Sequence, residues 1–220
     1  MIKYIIFDKD GTLLDTEPIF KRAWVEVGEQ WGLENIEDMY EGIMGNNGEF
    51  IVKKLYDTYP DRDCRAYYDA RMNRVTELME GDIPLMIGCR EILEFAKKNG
   101  ISVAVATSST RERAEKNLKK LDLWDYFDAV VTGDMVEKSK PEPDIFLEAA
   151  NRIGATKEES IVCEDSYNGL LAAKASGMRP IFIPDMLKPN EDTVKLAYKT
   201  CRDLFEVMEL VKEENNKQHI

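Results

Sequence analysis

Short apolar runs alternate with amphipathic segments along most of this chain. Five runs rich in β-branched and aromatic residues are short enough to be buried strands, at residues 4–7, 101–107, 129–133, 160–164 and 180–183. From residue 88 onward, segments with apolar residues at helical spacing separate these runs. The alternation predicts an α/β fold with a Rossmann-like parallel sheet, in which ligands bind at the carboxyl ends of the strands.

A helical stretch interrupts this pattern after the first strand. Helices are predicted over 17–28, 36–44, 50–59 and 64–80. We therefore expect a core domain of residues 1–15 and 84–220 with an inserted small α-helical cap of residues 16–83. Hinges near 15–18 and 81–84 would let such a cap open for exchange and close to exclude water.

Two amide side chains stand in a glycine-rich break within the helical stretch. Asn46 and Asn47 are flanked by Gly45 and Gly48. These residue types are ordinary choices for a turn between helices. Because loops on a rigid scaffold often carry recognition, Asn46 and Asn47 are also candidates for contacts to a substrate.

Composition narrows the classes of function. The formal net charge of −12 argues against binding to nucleic acid or to an anionic membrane, since both need clustered Lys and Arg. The four cysteines lack metal-type spacing, and the sequence has neither a leader pattern nor an apolar run approaching about 18 residues. We expect a cytoplasmic protein with reduced thiols, and a monomer by default.

The first predicted strand ends in acidic residues. Asp8 and Asp10 would lie on the same side of an extended strand, because side chains alternate with a period of two. Two carboxylates this close repel each other unless a cation, a shared proton or a basic partner is present. Gly11 allows a sharp turn that exposes backbone N–H groups to a phosphate. The stretch indicates Mg²⁺ and a phosphate, although a strand end with solvated acids would look similar.

Two other kinds of site are disfavoured. The single histidine, His219, lies in a polar C-terminal tail that we expect to be frayed from residue 213. Mechanisms with a histidine base or a histidine-ligated zinc are excluded unless that tail folds back. A calcium loop of the EF-hand type would place Ile6 at its first ligand position.

Other predicted strand ends carry groups that suit a phosphate or a metal. One strand ends in four hydroxyls at a helix N-terminus, a loop stiffened by Pro141 aims a lysine, and a further strand stops at two carboxylates. These residues are Thr107, Ser108, Ser109 and Thr110, then Lys140, then Glu164 and Asp165. All would gather at one edge of a parallel sheet.

These residues fall in four ordered motifs. The motifs are FDKDGTLLDTE at 7–17, VAVATSS at 103–109, KSKPEPDIF at 138–146 and VCEDSYNGLLAAKASGM at 162–178. Over essentially the whole chain, the set resembles the haloacid dehalogenase-like hydrolase superfamily, and the helical insertion looks like its small C1 cap. The most similar group is that of the phosphatases related to phosphoglycolate phosphatase and β-phosphoglucomutase.

The resemblance implies a phosphatase mechanism that needs no histidine. Asp8 would attack phosphorus to form an aspartyl-phosphate, and Asp10 would protonate the leaving group and then activate water. Thr107 and Lys140 would stabilise the transferring phosphoryl group. The remaining expected contacts are to phosphate from Gly11, Ser108 and Ser109, and to Mg²⁺ from Asp8, Asp10, Glu164 and Asp165.

We expect a Mg²⁺-dependent phosphatase of a small phosphorylated metabolite, such as a sugar phosphate, a polyol phosphate or phosphoglycolate. True dehalogenases, by resemblance, lack the second aspartate, so Asp10 favours phosphoester chemistry. Related mutases carry a cap histidine and a cap-loop arginine, where this chain has Phe20 and the loop with Asn46 and Asn47. A mutase of the β-phosphoglucomutase type is therefore one alternative, and a non-catalytic phosphometabolite-binding protein is another.

Overall fold

The computed structural model of the chain describes residues 1–186 and 188–217. His219, and with it the question of whether the tail folds back, lies outside the described residues. The chain divides into a sheet unit of Met1–Asp15 with Leu85–Ile220, and a helical unit of Thr16–Pro84. None of the helices in the described ranges combines the length and the apolar character needed to cross a bilayer.

In the described part of the sheet unit, six parallel strands form one sheet. They are β1 (Tyr4–Phe7), β2 (Ser102–Thr107), β3 (Ala129–Thr132), β4 (Ser160–Glu164), β5 (Arg179–Phe182) and β6 (Lys199–Thr200). Their spatial order is β3-β2-β1-β4-β5-β6. The predicted α/β fold and its first five strands are confirmed. The sequence pattern missed β6, because a strand of two residues is too short to carry a periodicity.

The described residues form nine α-helices. They are α1 (Glu17–Gln30), α2 (Gly48–Thr58), α3 (Cys64–Leu78), α4 (Cys89–Lys98), α5 (Arg111–Lys120), α6 (Asp144–Arg152), α7 (Tyr167–Ala175), α8 (Glu191–Leu196) and α9 (Leu204–Asn216). The first three belong to the helical unit and correspond to the helices predicted over 17–28, 50–59 and 64–80.

Strand β1 lies between β2 and β4 and determines where the acidic motif begins. Its last three residues are fully buried. Phe7 is in register with Val105 of β2 and Cys163 of β4. The Asp8 N–H continues the pairing by donating to the Cys163 carbonyl at 2.9 Å. The residues that follow β1, β2 and β4 therefore meet at the carboxyl edge of the sheet.

The C-terminal segment is helical as far as Asn216, so the prediction of a frayed tail from residue 213 is wrong over these residues. Helix α9 buries Leu204, Val207 and Val211, which recur at helical spacing. Near its end, the Asn215 side chain accepts from the Ile2 N–H at 2.5 Å and donates to the Ile2 carbonyl at 3.0 Å. These two bonds hold the end of the helix against the start of the chain.

Two aromatic residues organise the helical unit. Trp24 of α1 and Tyr67 of α3 are buried, and their rings meet edge to face with centroids 5.3 Å apart. The Tyr67 hydroxyl donates to the Trp24 carbonyl at 2.8 Å, and the Trp24 indole donates to the Ile36 carbonyl at 2.6 Å. Both polar tips are thus satisfied while their rings form the core of the unit.

The α-helix predicted over 36–44 is wrong, because turns and a 3₁₀ helix at Tyr40–Gly42 occupy this segment. The Ile36 carbonyl accepts a hydrogen bond from the Trp24 indole N–H, and the Tyr40 N–H donates to the Glu37 backbone carbonyl at 3.0 Å. A tertiary hydrogen bond therefore takes an acceptor that an α-helix would have used internally. The apolar spacing is still satisfied, since Tyr40 and Ile43 are buried.

Candidate active site

A buried lysine joins two carboxylates at the carboxyl edge of the sheet. The Lys140 Nζ lies 2.5 Å from Asp8 Oδ1 and 2.5 Å from Glu164 Oε1. It also donates to the Ala106 carbonyl at 3.2 Å, so three acceptors surround the ammonium group. All three ionisable side chains are buried. Burial of such charges is tolerated when they are paired and hydrogen-bonded, as they are here.

Burial and ion pairing shift the pKa values of Asp8 and Lys140 in opposite directions. Burial raises the pKa of Asp8 to about 7, opposed by Lys140 and reinforced by Glu164 and Asp10. Burial by itself would lower the pKa of Lys140, but the Asp8 and Glu164 carboxylates raise it above its ordinary value. The lysine is therefore held as a cation whose charge favours an ionised Asp8.

Glu164 is surrounded by hydrogen-bond donors on both carboxylate oxygens. Its Oε1 binds Lys140, while its Oε2 accepts from the Asp165 N–H at 3.1 Å, the Ser166 N–H at 3.0 Å and the Ser166 hydroxyl at 2.9 Å. We expected Glu164 to help hold a metal. Its oxygens here accept from Lys140 and from the donors around Ser166, and a metal contact from Glu164 stays a prediction.

Gly169, in the first turn of α7, leaves room for Glu164. A Cβ at this position would lie 1.9 Å from Glu164 Cδ and 2.0 Å from Oε1, far inside contact distance. Ser166 caps the same helix, with its hydroxyl accepting from the Gly169 N–H at 3.1 Å. In the sequence this glycine is one residue of a motif, and its steric role depends on the fold.

Asp10 contacts a basic and a hydroxyl side chain. The Lys9 Nζ donates to Asp10 Oδ1 at 2.7 Å, and the Ser109 hydroxyl donates to Asp10 Oδ2 at 3.0 Å. Ser109 was predicted to contact substrate, but its hydroxyl contacts Asp10 here. Lys9 was not predicted at all. A lysine at the end of a buried strand, between two aspartates, was the available sequence signal.

The turn after Asp10 brings Asp165 to the same edge. The Thr12 hydroxyl donates to Asp165 Oδ1 at 3.3 Å. Gly11 has φ +81°, and a Cβ there would lie 2.4 Å from Asp165 Oδ2, so only glycine leaves space for the carboxylate. The Gly11 N–H donates to the Leu14 carbonyl at 2.8 Å. Gly11 therefore leaves room for Asp165, and a contact from this turn to a phosphate stays a prediction.

The hydroxyl run after β2 divides into buried and exposed residues. Thr107 is buried, and its Oγ1 accepts from the Ser109 N–H at 3.1 Å. Ser108 is exposed. A phosphoryl contact from Thr107 or Ser108 stays a prediction, and both residues lie at the edge that holds Asp8.

Asn46 and Asn47 belong to the helical unit and make local contacts. The Asn47 side chain caps α2 by accepting from the Phe50 N–H at 2.9 Å. The Asn46 side chain donates to the Met44 carbonyl at 3.2 Å. Both contacts are those of a helix cap and a turn, and the substrate role of these residues stays a prediction.

Metal ligation was tested against the donor set. Among residues 1–186 and 188–217, no group of three or more His, Cys, Asp or Glu side chains is spaced to hold a metal ion. Asp8 and Asp165 supply carboxylates at one edge. A hard ion such as Mg²⁺ commonly takes one or two carboxylates, with water and other oxygens completing its shell. The donors therefore fit Mg²⁺, and they lack the nitrogen and sulfur ligands typical of zinc.

Known proteins resemble this chain over most of its length. Residues 5–183 match the family described as haloacid dehalogenase-like hydrolase. The chain is 36% identical over 182 residues to the phosphorylated carbohydrates phosphatase of Thermotoga maritima, covering 81% of this chain and 83% of that one. It is 31% identical over 205 residues to hexitol phosphatase B of Escherichia coli K12, covering 92% of each.

A solved structure shares the fold over nearly the whole chain. It is that of a putative β-phosphoglucomutase from Thermotoga maritima, with a TM-score of 0.78 and 30% sequence identity. The match covers 96% of this chain and 99% of that one. Phosphatases and a mutase-like protein are thus both among the proteins to which this chain is similar.

Proposed function

This chain belongs to the haloacid dehalogenase-like hydrolase family and is a phosphatase, and we propose that it is a Mg²⁺-dependent enzyme that forms an aspartyl-phosphate on Asp8. Its substrate would be a small phosphorylated sugar or polyol. The observation that carries this proposal is the buried contact of Lys140 with Asp8 and Glu164. A nucleophilic carboxylate must stay ionised next to an anionic phosphate, and a fixed ammonium group supports that state.

The reaction would proceed in two in-line transfers. In the first, an Asp8 oxygen forms a bond to phosphorus as the bond to the ester oxygen breaks, and Asp10 gives a proton to the leaving alkoxide. In the second, Asp10 takes a proton from water, which attacks the aspartyl-phosphate and releases inorganic phosphate with Asp8 restored. The Lys140 ammonium lowers the energy of the negative charge in both steps.

The Asp8 and Asp165 carboxylates and the Asp10 backbone carbonyl are the groups that would hold Mg²⁺. When bound, this ion would offset the repulsion between the nucleophile and the phosphate dianion. The close approach of Gly11 to the Asp165 carboxylate supports a constructed cradle. Glu164 is left out of the set because Lys140 and the donors around Ser166 occupy its oxygens.

The substrate class is proposed from the relatives. Two of them are named as phosphatases, one of phosphorylated carbohydrates and one of hexitols. The net negative charge of the chain disfavours a polyanionic partner, so we propose a small metabolite as the substrate. A mutase remains the second candidate because the neighbour at 30% identity is described as a putative β-phosphoglucomutase.

The test is release of inorganic phosphate from a panel of sugar, polyol and carboxylic phosphomonoesters, with Mg²⁺ or EDTA. We expect activity on sugar or polyol phosphates that EDTA removes and Mg²⁺ restores. Asp8→Asn should lose about 10³-fold or more of kcat because the nucleophile is gone, while its circular dichroism spectrum stays that of the folded protein. Asp57→Asn, at an exposed aspartate of the helical unit, is the matched control and should retain full activity.

The same assays distinguish a phosphatase from a mutase and from a non-catalytic binding protein. Substantial Mg²⁺-dependent turnover by Asp8→Asn would contradict the nucleophile assignment. NMR detection of isomerised β-glucose 1-phosphate without net release of phosphate would identify a mutase. No turnover of any panel member, with phosphoester binding retained, would favour a non-catalytic binding protein.

A further inference from the structure

Lys9 is a fully buried lysine two residues beyond the end of β1. Its side chain is 0% exposed, and its Nζ forms an ion pair with Asp10 Oδ1 at 2.7 Å. Removing an ammonium group from water is costly unless a partner compensates for it. An apolar residue would fill this position without that cost. A role for the charge at Asp10 is therefore a better explanation than packing alone.

The Asp10 carboxyl group is held from two sides. Lys9 contacts one oxygen, and Ser109, two residues beyond β2, donates to the other at 3.0 Å. Ser109 is itself buried and fixed by its N–H bond to Thr107 Oγ1. Two donors from the segments that follow β1 and β2 reach the two oxygens, and together they define both the position and the plane of the carboxyl group. Misplacement of a reacting group by about 1 Å can cost about 10²-fold in rate.

The backbone of Lys9 has a separate task. Its carbonyl accepts from the Leu13 N–H at 3.0 Å and the Leu14 N–H at 2.9 Å, which closes the turn after the acidic motif. These main-chain bonds do not depend on the side chain. Lys9→Met keeps a long apolar stem and these bonds, and it removes the ammonium group alone.

We propose that Lys9, together with Ser109, is a positioning residue that holds Asp10 for proton transfer to the leaving group. This inference rests on the proposed function, in which Asp10 is the acid. It has a specific consequence. A sugar or polyol alkoxide is a poor leaving group that needs the proton, whereas p-nitrophenolate leaves readily without one. Misplacing Asp10 should therefore slow alkyl phosphates selectively.

The experiment compares kcat/KM for two substrates, because this ratio reports the steps up to release of the leaving group. The substrates are the best alkyl phosphate of the phosphomonoester panel and p-nitrophenyl phosphate. For Lys9→Met we expect a loss of about 10²-fold on the alkyl phosphate and a change of only a few-fold on the aryl phosphate. Ser109→Ala should show the same selectivity to a smaller extent. It carries the test if Lys9→Met does not fold.

The Asp10→Asn variant separates the acid role of Asp10 from the positioning role of Lys9 and Ser109. If Asp10→Asn is selective for alkyl phosphates while Lys9→Met and Ser109→Ala slow both substrates equally, the positioning role is overturned and the proposed function stands. If Asp10→Asn itself shows no difference between the substrates, Asp10 is not the acid, and both the proposed assignment and this inference fail. Selective loss in all three variants supports the inference.

Discussion

Both units of this protein bury cationic side chains, but they surround them with different partners. In the sheet unit, Lys9 and Lys140 are each within 2.7 Å of a carboxylate oxygen. In the helical unit, Arg71 is 5% exposed and has three aromatic rings around its guanidinium group, 5.4 to 5.9 Å from the ring centroids. The rings are those of Phe20, Trp24 and Tyr68.

We infer that the difference separates charges that serve chemistry from charges that serve packing. A buried ion pair contributes little net stability, since desolvation offsets the attraction. A guanidinium among ring faces gains from the ring quadrupoles and from dispersion. Arg71 Nε has no hydrogen-bond partner in the described part of the chain, while Nη1 donates to the Met72 sulfur at 3.6 Å. Altering the lysines should therefore affect catalysis most, and altering the arginine should affect stability most.

The largest effect is expected from Lys140→Met. The change leaves Asp8 and Glu164 buried without their common cation, so kcat should fall by about 10²–10³-fold or more. Loss of one member of a buried charge cluster also costs about 3–5 kcal/mol of unfolding free energy. Phosphate release and urea unfolding measure the two losses. Lys138→Met, at an exposed lysine of the same loop, is the matched control.

The outcome for this pair of lysine variants is decisive for the comparison. Lys138→Met should leave both activity and stability close to those of the wild type. A Lys140→Met protein with near-normal kcat would mean that the buried lysine serves packing, as we infer for Arg71, and the contrast between the units would disappear.

A smaller effect is expected from Gly169→Ala. In most helices, alanine in place of glycine stabilises by about 0.5–1 kcal/mol, but here the new Cβ would lie 1.9 Å from Glu164 Cδ. Glu164 would have to leave Lys140 or the helix would have to shift, so we expect a destabilisation of about 1–3 kcal/mol. A clear loss of kcat should accompany it. Thermal unfolding and phosphate release test both.

Gly42→Ala is the matched control for this steric argument. A Cβ at Gly42 meets nothing within 4 Å, and its φ is not in the left-handed region. Its substitution should be neutral. If Gly169→Ala were equally neutral in stability and in kcat, Glu164 would not be needed in its present position, and its assignment to Lys140 would be wrong.

Much of the sheet unit could be predicted because its information is local and periodic. Apolar runs mark the strands, and a parallel topology brings their carboxyl ends together, so Asp8 and Lys140 were expected at one edge before any geometry was known. Their contact at 2.5 Å agrees with that expectation. The sequence pattern could not predict which of two neighbouring carboxylates makes which contact. Glu164 and Asp165 have the same chemistry, and only the donors around each distinguish them.

Other features depend on contacts that no pattern encodes. β1 ends at Phe7, before Lys9, and the contact of the Lys9 ammonium group with Asp10 depends on the turn that follows the strand. The helix predicted over 36–44 fails because an indole from another helix takes the Ile36 carbonyl. In the second case a side chain from another helix decides the structure, and a sequence pattern describes only the spacing within one segment.

The smallest effect is expected from Arg71→Met. Methionine keeps most of the stem and its contacts with the rings, and it removes a charge whose Nε is unpaired. Loss of the cation–π contacts should lower the free energy of unfolding by about 1–2 kcal/mol. We expect kcat to change by only a few-fold, since the cation lies among aromatic rings of its own unit. Urea unfolding and phosphate release measure the two effects.

Arg65→Met is the control on the same helix. Arg65 of α3 is partly exposed and pairs with the Glu49 carboxylate at 2.7 Å, so its loss should destabilise less than the loss of Arg71. If Arg71→Met instead lost activity as severely as Lys140→Met while its unfolding curve stayed unchanged, the buried arginine would serve chemistry. The kind of partner, carboxylate or aromatic ring, would then not tell whether a buried cation of this protein serves catalysis or packing.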